Sequence, residues 1–166
     1  GYLFEALSML TGRRVERLLN LALVNDQLDT TLNEYWFHRN GRVALWYRPV
    51  LPRFDDLMNL GILEQSVDEG IALPLPPKLG ELLLARLARQ GAAGIAVDAA
   101  NAVKQIANET DKRITGPRLS KVMPQRLTAN SVDEVDVAWL SGKAPEHCAG
   151  LYYSVIPRKR LMATYS

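Results

Sequence analysis

Residues 34–50 read EYWFHRNGRVALWYRPV, two aromatic-rich runs on either side of Asn40-Gly41. Asn-Gly takes positive φ at both central positions of a tight turn with little strain, so the pair predicts a β-hairpin. A third short strand is expected in GIALPLP at 70–76, after an acidic loop and a short helix at 52–66. These three strands make the sheet of the fold, and everything outside them has the rhythm of helices.

Upstream, YLFEALSMLTGRRVERLLNLAL (2–23) carries apolar residues at Leu3, Leu7, Leu10, Leu18 and Leu21. In that helical register position 14 falls on the apolar stripe, where Arg14 stands. A buried arginine must meet an anion or a carboxylate, because an unpaired buried charge carries a large desolvation cost. Gly12 in the same turn bends the helix and lets that side chain reach a cleft; the alternative is that the helix breaks at Gly12 and leaves Arg14 exposed.

Downstream, PPKLGELLLARLARQG (76–91) reads as a helix entered at its prolines, and AAGIAVDAANAVKQIANETDK (92–112) as an alanine-rich one. ITGPRLSKVMPQRLTAN (114–130) opens at a Gly-Pro turn onto a basic helix that Pro124 kinks or shortens. SVDEVDVAWLSGK (131–143) has a Ser cap, acidic first-turn residues, an apolar stripe of Val132, Val135 and Leu140, and an end at Gly142. A short helix is expected over APEHCAGLYYSV (144–155), and Pro157 with Arg158, Lys159 and Arg160 reads as a basic tail. The expected fold is therefore α+β, mostly helical, with a small three-stranded antiparallel sheet.

The chain has 166 residues, 48% hydrophobic and 23% charged, which suits one globular domain (1–166) with a real core. Its one cysteine, Cys148, allows no internal disulfide, and no cluster at metal-ligand spacing accompanies it, so a reducing, cytoplasmic setting is expected. No apolar run approaches the ~20 residues of a membrane span. The net charge is only +2, but the charge is segregated. Basic residues gather at Arg13, Arg14 and Arg17, at Lys112 to Arg126, and at 158–160; acidic ones gather at 55–69 and 133–136. Segregation of this kind gives either a basic face suited to phosphates or simply solvated helix faces.

Taken in order, these parts resemble the catalytic domain of the tyrosine recombinase (phage integrase) family. LSMLTGRRVERLLNLAL (7–23) is similar to that family's Thr-Gly-x-Arg helix motif, with Arg14 in the place of the first catalytic arginine. ITGPRLSKVMPQRL is similar to the second box, and LSGKAPEHCAGLYYSV (140–155) to the closing box and its nucleophilic tyrosine. The family's closing His and tyrosine lie nine positions apart, which puts Lys143 in the His place and Tyr152 in the nucleophile place, with Tyr153 one residue out of register.

The resemblance implies a chemistry. A tyrosine oxygen attacks a DNA phosphodiester, forms a 3′-phosphotyrosyl bond and releases a 5′-hydroxyl; another strand's hydroxyl reverses the step and rejoins the DNA. Two arginines hold the non-bridging oxygens and stabilise the transition-state charge, a hairpin lysine protonates the leaving oxygen, and no cofactor, metal or nucleotide takes part. The implied partners are double-stranded DNA and further copies or subunits assembled on it. The family also implies an N-terminal DNA-binding domain, which marks this chain as a fragment of a longer protein.

Three places depart from the family pattern. The second box is His-x-x-Arg, whereas the aligned residues are Pro117-Arg118-Leu119-Ser120, so Ser120 occupies the second arginine place and Arg118 lies two residues earlier. No lysine occurs between 42 and 75, where Arg42, Arg48 and Arg53 are the basic residues, and arginine is a poor proton donor. Lys143 replaces the closing His. Three readings stand: a recombinase with Tyr152 as nucleophile, Arg14 and Arg118 on the scissile phosphate, Lys143 assisting, and Ser120 and Arg48 as further candidates at the second arginine place and near the hairpin; a catalytically silent DNA-binding or partner subunit of a mobile-element complex; or a helical interaction domain with no DNA role.

Overall fold

The computed structural model describes residues 2–29, 31–49, 70–89, 92–142 and 158–165. The expected α+β class is what it shows, with helices before and after one small sheet. The first helical stretch divides in two, α1 (Leu3–Thr11) and α2 (Val15–Leu19), because Gly12 takes the left-handed conformation at φ 68° and ends α1 there. The sheet follows as β1 (Leu23–Asn25), β2 (Glu34–Arg39), β3 (Arg42–Tyr47) and β4 (Ile71–Pro74). Asn40 and Gly41 have φ 50° and 71°, the two positive values the hairpin requires.

The strand order is β1-β2-β3-β4, with β2, β3 and β4 antiparallel in sequence and β1 parallel to β2. The expected three-stranded antiparallel sheet is thus corrected to a four-stranded mixed one. The added strand lies in the tail of the first helical pattern: α2 stops at Asn20, and the spaced apolar residues Leu21 and Leu23 serve an extended segment rather than another helical turn. Three residues are too few for periodicity to separate the two.

Register places Trp36 beside Leu45 and Leu45 beside Leu73, all three with no solvent exposure. That row, with Val43, Tyr47 and Ile71, faces the helices. On the other face Tyr35 and Trp46 pair across the strands and stack with centroids 4.8 Å apart.

After β4 come α3 (Pro77–Arg89), α4 (Ala92–Glu109), α5 (Gly116–Leu119), α6 (Val122–Ala129), α7 (Glu134–Ser141) and α8 (Arg158–Tyr165). The predicted basic helix at 114–130 is split into α5 and α6, with Pro124 in the first turn of α6, where its missing N–H is harmless. The cap of α7 is Asp133 rather than Ser131: the Asp133 carboxylate accepts from the Val135 amide at 2.8 Å, while Ser131 sits at φ 59°. The basic stretch at 158–160 opens a helix instead of a free tail. Leu161 is fully buried, and Arg160 donates to the buried Asp136 of α7 at 2.6 Å, which holds α8 against the body. The helices predicted at 52–66 and 144–155 lie outside the described residues.

One apolar cluster joins Phe4 and Leu7 of α1, Val15 and Leu18 of α2, the sheet face, Leu83 of α3, Met123 of α6, Trp139 and Leu140 of α7 and Leu161 of α8. Burying each such side chain contributes about 1.5–3 kcal/mol, so this cluster fixes how the elements sit. No helix among the described residues is long and apolar enough to cross a membrane.

Candidate nucleic-acid interface

The elbow between α1 and α2 is built by short-range hydrogen bonds that follow from its sequence. The Gly12 amide donates to Ser8 O at 3.0 Å, and the Thr11 hydroxyl donates to Leu7 O at 2.8 Å. The Ser8 hydroxyl reaches forward to donate to Arg13 O at 2.6 Å, so the main chain of Arg13 is tied to α1. Arg14 then adopts an extended conformation at φ −67°, ψ 146°, and becomes the N-cap of α2, where its carbonyl accepts from the Arg17 and Leu18 amides.

This break reverses the two arginines relative to an unbroken helical register. Arg14, placed on the apolar stripe by that register, is exposed, and its side chain makes no hydrogen bond or ion pair with the described residues. Arg13 turns inward with 2% of its surface exposed. Its Nε donates to Glu34 Oε1 at 2.9 Å, and its Nη1 donates to Thr11 O at 2.9 Å and to Leu140 O at 2.6 Å. Its guanidinium carbon lies 4.3 Å from the centre of the Tyr47 ring. Glu34 takes Arg17 on its other oxygen.

The surroundings of Arg13 are strongly desolvated. Burial pushes the Tyr47 hydroxyl up to about 12 against the opposing pull of Arg13, and that hydroxyl donates to Trp139 O at 2.6 Å. Tyr165 of α8 is likewise raised to about 12 by burial, with Arg13 acting in the opposite direction and Tyr47 adding to the rise. In such a medium a cation needs its partners, and Arg13 has a carboxylate, two carbonyls and a ring face.

The second sequence box meets the first. A Cβ built on Gly116, at the start of α5, would lie 3.6 Å from Glu16 Oε1, so the Gly-Pro turn sits beside the first turn of α2, two residues from Arg14. Arg118 is exposed and donates from Nη1 to Arg113 O at 3.1 Å. Arg113 in turn pairs with Asp111, whose carboxyl it holds below the usual range. Ser120 caps the end of α5, with its hydroxyl donating to Pro117 O at 3.1 Å. Lys121 and Arg126 add exposed positive charge along α6.

Arg48 stands apart from this group. It lies past the end of β3, half-buried, with its guanidinium carbon 5.8 Å from the Trp46 ring centre and its amide donating to Asn33 O at 2.8 Å. Among the described residues no hydrogen bond, ion pair or ring contact links it to Arg14 or Arg118. Lys143 and Tyr152 lie outside the described residues.

Sequence reading passed over Glu34, Tyr47 and Tyr165, and placed Arg13 only among surface charges. The one available signal was that Glu34 opens an otherwise aromatic strand, a place where a carboxylate needs a reason to be. An open groove of about 940 Å³ runs along α1, the 74–76 connection and α6, with Met9, Val122, Leu127 and Arg126 among its walls. Neither the protein-family models, nor the curated proteins, nor the solved structures compared with this chain match it.

Proposed function

We propose that the chain is a DNA-binding domain of the tyrosine recombinase type, which breaks and rejoins strands through a 3′-phosphotyrosyl intermediate. The observation that supports this most is the meeting of two arginine-bearing turns distant in sequence: Arg14 at the head of α2, exposed and unpaired among the described residues, and the Gly116-Pro117-Arg118 turn packed beside that same helical turn. An exposed arginine with no partner among the described residues, next to a second basic turn, suits a phosphate, since the planar guanidinium donates two parallel hydrogen bonds to its oxygens.

In this reading Arg14 holds a non-bridging oxygen of the scissile phosphate, Arg118 supplies the second positive charge, and the Tyr152 oxygen attacks phosphorus. The bond to the 5′ oxygen breaks, and that oxygen takes a proton and leaves as the 5′-hydroxyl. Lys143 binds a phosphate oxygen in the place of the family's His. Arg48 belongs to the proposal only as the hairpin's basic residue. Ser120 offers a neutral hydroxyl where the family has an arginine.

The test is a nicked suicide duplex carrying the end sequence of the element that encodes the protein, resolved on a denaturing gel. A covalent protein–DNA band that disappears in Tyr152→Phe is expected; a band that persists in that variant excludes Tyr152 as nucleophile. A second reading, binding without cleavage, is favoured by two specific features. Ser120 at the second arginine place and arginines rather than a lysine around the hairpin remove a charged donor and the general acid, and each lost preorganised donor costs on the order of 10²–10³ in rate. That reading gives salt-dependent DNA binding and no band.

A further inference from the structure

Arg13 and Gly142 are 129 positions apart in sequence, yet α7 ends against the Arg13 guanidinium so closely that a side chain at Gly142 has no room. We propose that Arg13 is a positioning residue, coupling the elbow that carries Arg14 to the C-terminal end of α7, from which the sequence runs on to Lys143 and Tyr152. Its catalytic meaning rests on the recombinase reading above, whereas the coupling itself rests on geometry alone.

Three observations carry it. First, the Arg13 side chain is shared among elements: Nη1 bridges Thr11 O at the end of α1 and Leu140 O in α7, and Nε holds Glu34 of β2. Second, Gly142 is shaped around the guanidinium. At φ 65° it ends α7 in the left-handed conformation, and a Cβ there would stand 2.5 Å from Arg13 Cζ and from Nη2. That Nη2 is buried with no hydrogen-bond partner among the described residues, so the guanidinium is held there by its other contacts. Third, the main chain at Arg13 is pinned by the Ser8 hydroxyl, one peptide before Arg14, whose carbonyl starts α2.

A shift at Gly142 therefore moves the guanidinium, and the guanidinium cannot move without straining the elbow. A leucine at position 13 would fill the volume and make none of these bonds. Tyr47 reinforces the link from the sheet, because its ring covers the guanidinium while its hydroxyl donates to Trp139 O, one residue before the carbonyl that Arg13 itself uses. The end of α7 is thus anchored through two adjacent carbonyls, Leu140 O by the elbow and Trp139 O by the sheet.

The experiment is native-state hydrogen exchange on three variants of the chain. Gly142→Ala presses on the guanidinium; Gly41→Ala introduces the same left-handed strain at the hairpin, where nothing lies within 4 Å, and serves as the control. In Gly142→Ala the Arg17 and Leu18 amides, bonded to Arg14 O, are expected to exchange about tenfold faster, and in Gly41→Ala at the parental rate. In Arg13→Lys, which keeps the charge, the Gly142 amide is expected to lose protection. Exchange changes confined to the mutated element in both Gly142→Ala and Arg13→Lys would overturn the coupling. Should Gly142→Ala not fold, Arg13→Lys decides alone.

The suicide duplex then separates the two readings. If the parent forms covalent product, Arg13→Lys is expected to lose it at least about tenfold while duplex affinity changes less than about twofold; unchanged product overturns the positioning role. If the parent forms none, the recombinase reading fails, and hydrogen exchange still decides the coupling.

Discussion

Arg13 and Glu34 form an ion pair at 2.9 Å in which the arginine side chain is 1% and the glutamate 6% exposed. Both side chains are withdrawn from solvent, and the pair joins the α1–α2 elbow to the first residue of β2. Breaking such a pair by removing one partner leaves the other charge buried and uncompensated. Glu34→Ala is expected to lower stability by about 3–5 kcal/mol. Arg17 shares the same carboxylate, but its side chain is 55% exposed, so Arg17→Ala is expected to cost less than about 1 kcal/mol. Urea denaturation of the two variants checks both values, and comparable losses would contradict this assignment of roles.

Glu5 of α1 is buried, and neither of its carboxylate oxygens has a hydrogen-bond partner among the described residues. Burial raises its carboxyl above the ordinary value of 4.5. A raised value in the folded state means that the neutral form is the better tolerated one. The relative stability this gives is complete below the unfolded value and declines as pH rises through the folded one. Glu5→Gln, neutral at every pH, is therefore expected to match the parent in acid and to exceed it in stability at neutral pH. Urea midpoints from pH about 4 to about 8 test the sign, and a parent that gains on the variant with rising pH would show the opposite linkage.

Gly142 and Gly41 take nearly the same positive φ, 65° and 71°, in different surroundings. An alanine at Gly41 meets nothing within 4 Å and is expected to cost about 1 kcal/mol for the left-handed conformation alone. An alanine at Gly142 adds the collision with Arg13 and is expected to cost clearly more. Thermal unfolding of the pair measures the difference, which isolates the close approach from the backbone strain.

Arg14 is exposed and free of protein partners among the described residues, so on a phosphate it acts as a simple cation. Arg14→Ala is expected to weaken binding to mixed-sequence duplex DNA and to reduce the slope of log affinity against log salt by about one. Arg160, committed to Asp136, is the internal comparison, and its alanine variant is expected to leave the slope unchanged. Equal slopes for the parent and Arg14→Ala would remove Arg14 from the interface.

Much of the fold was legible because its signals were local. Asn40-Gly41 marks the hairpin by dihedral preference alone, and the apolar pattern of α3 and the alanine-rich composition of α4 announce helices without needing tertiary contacts. The errors arose where tertiary structure decided. Carrying one helical register through Gly12 puts Arg14 inside, whereas the alternative, a helix that breaks at Gly12 and leaves Arg14 exposed, is what the structure shows; the left-handed glycine restarts the count and turns Arg13 inward. The three residues of β1 are too short to show a period, and pairing with β2 makes them a strand, with the Trp36 amide donating to Ala22 O at 2.8 Å before it and the Asp26 amide to His38 O at 3.0 Å after it. Arg158 to Arg160 read as solvated because charge dominates their composition, yet burial of Leu161 and the Asp136 carboxylate fold them back. The candidate site was legible as residue types, not as geometry: the pairing of Glu34 with Arg13 has no spacing rule, since it spans two different elements.

The mixed sheet also determines how this molecule meets others. Its outer strands are short, three residues in β1 and four in β4, and β4 ends in Pro74, which has no N–H to offer a neighbouring backbone. Extended segments of other chains, which spread by pairing with a free row of amides and carbonyls, find little template along the described strands. One face of the sheet is meanwhile committed to the apolar cluster it shares with the helices.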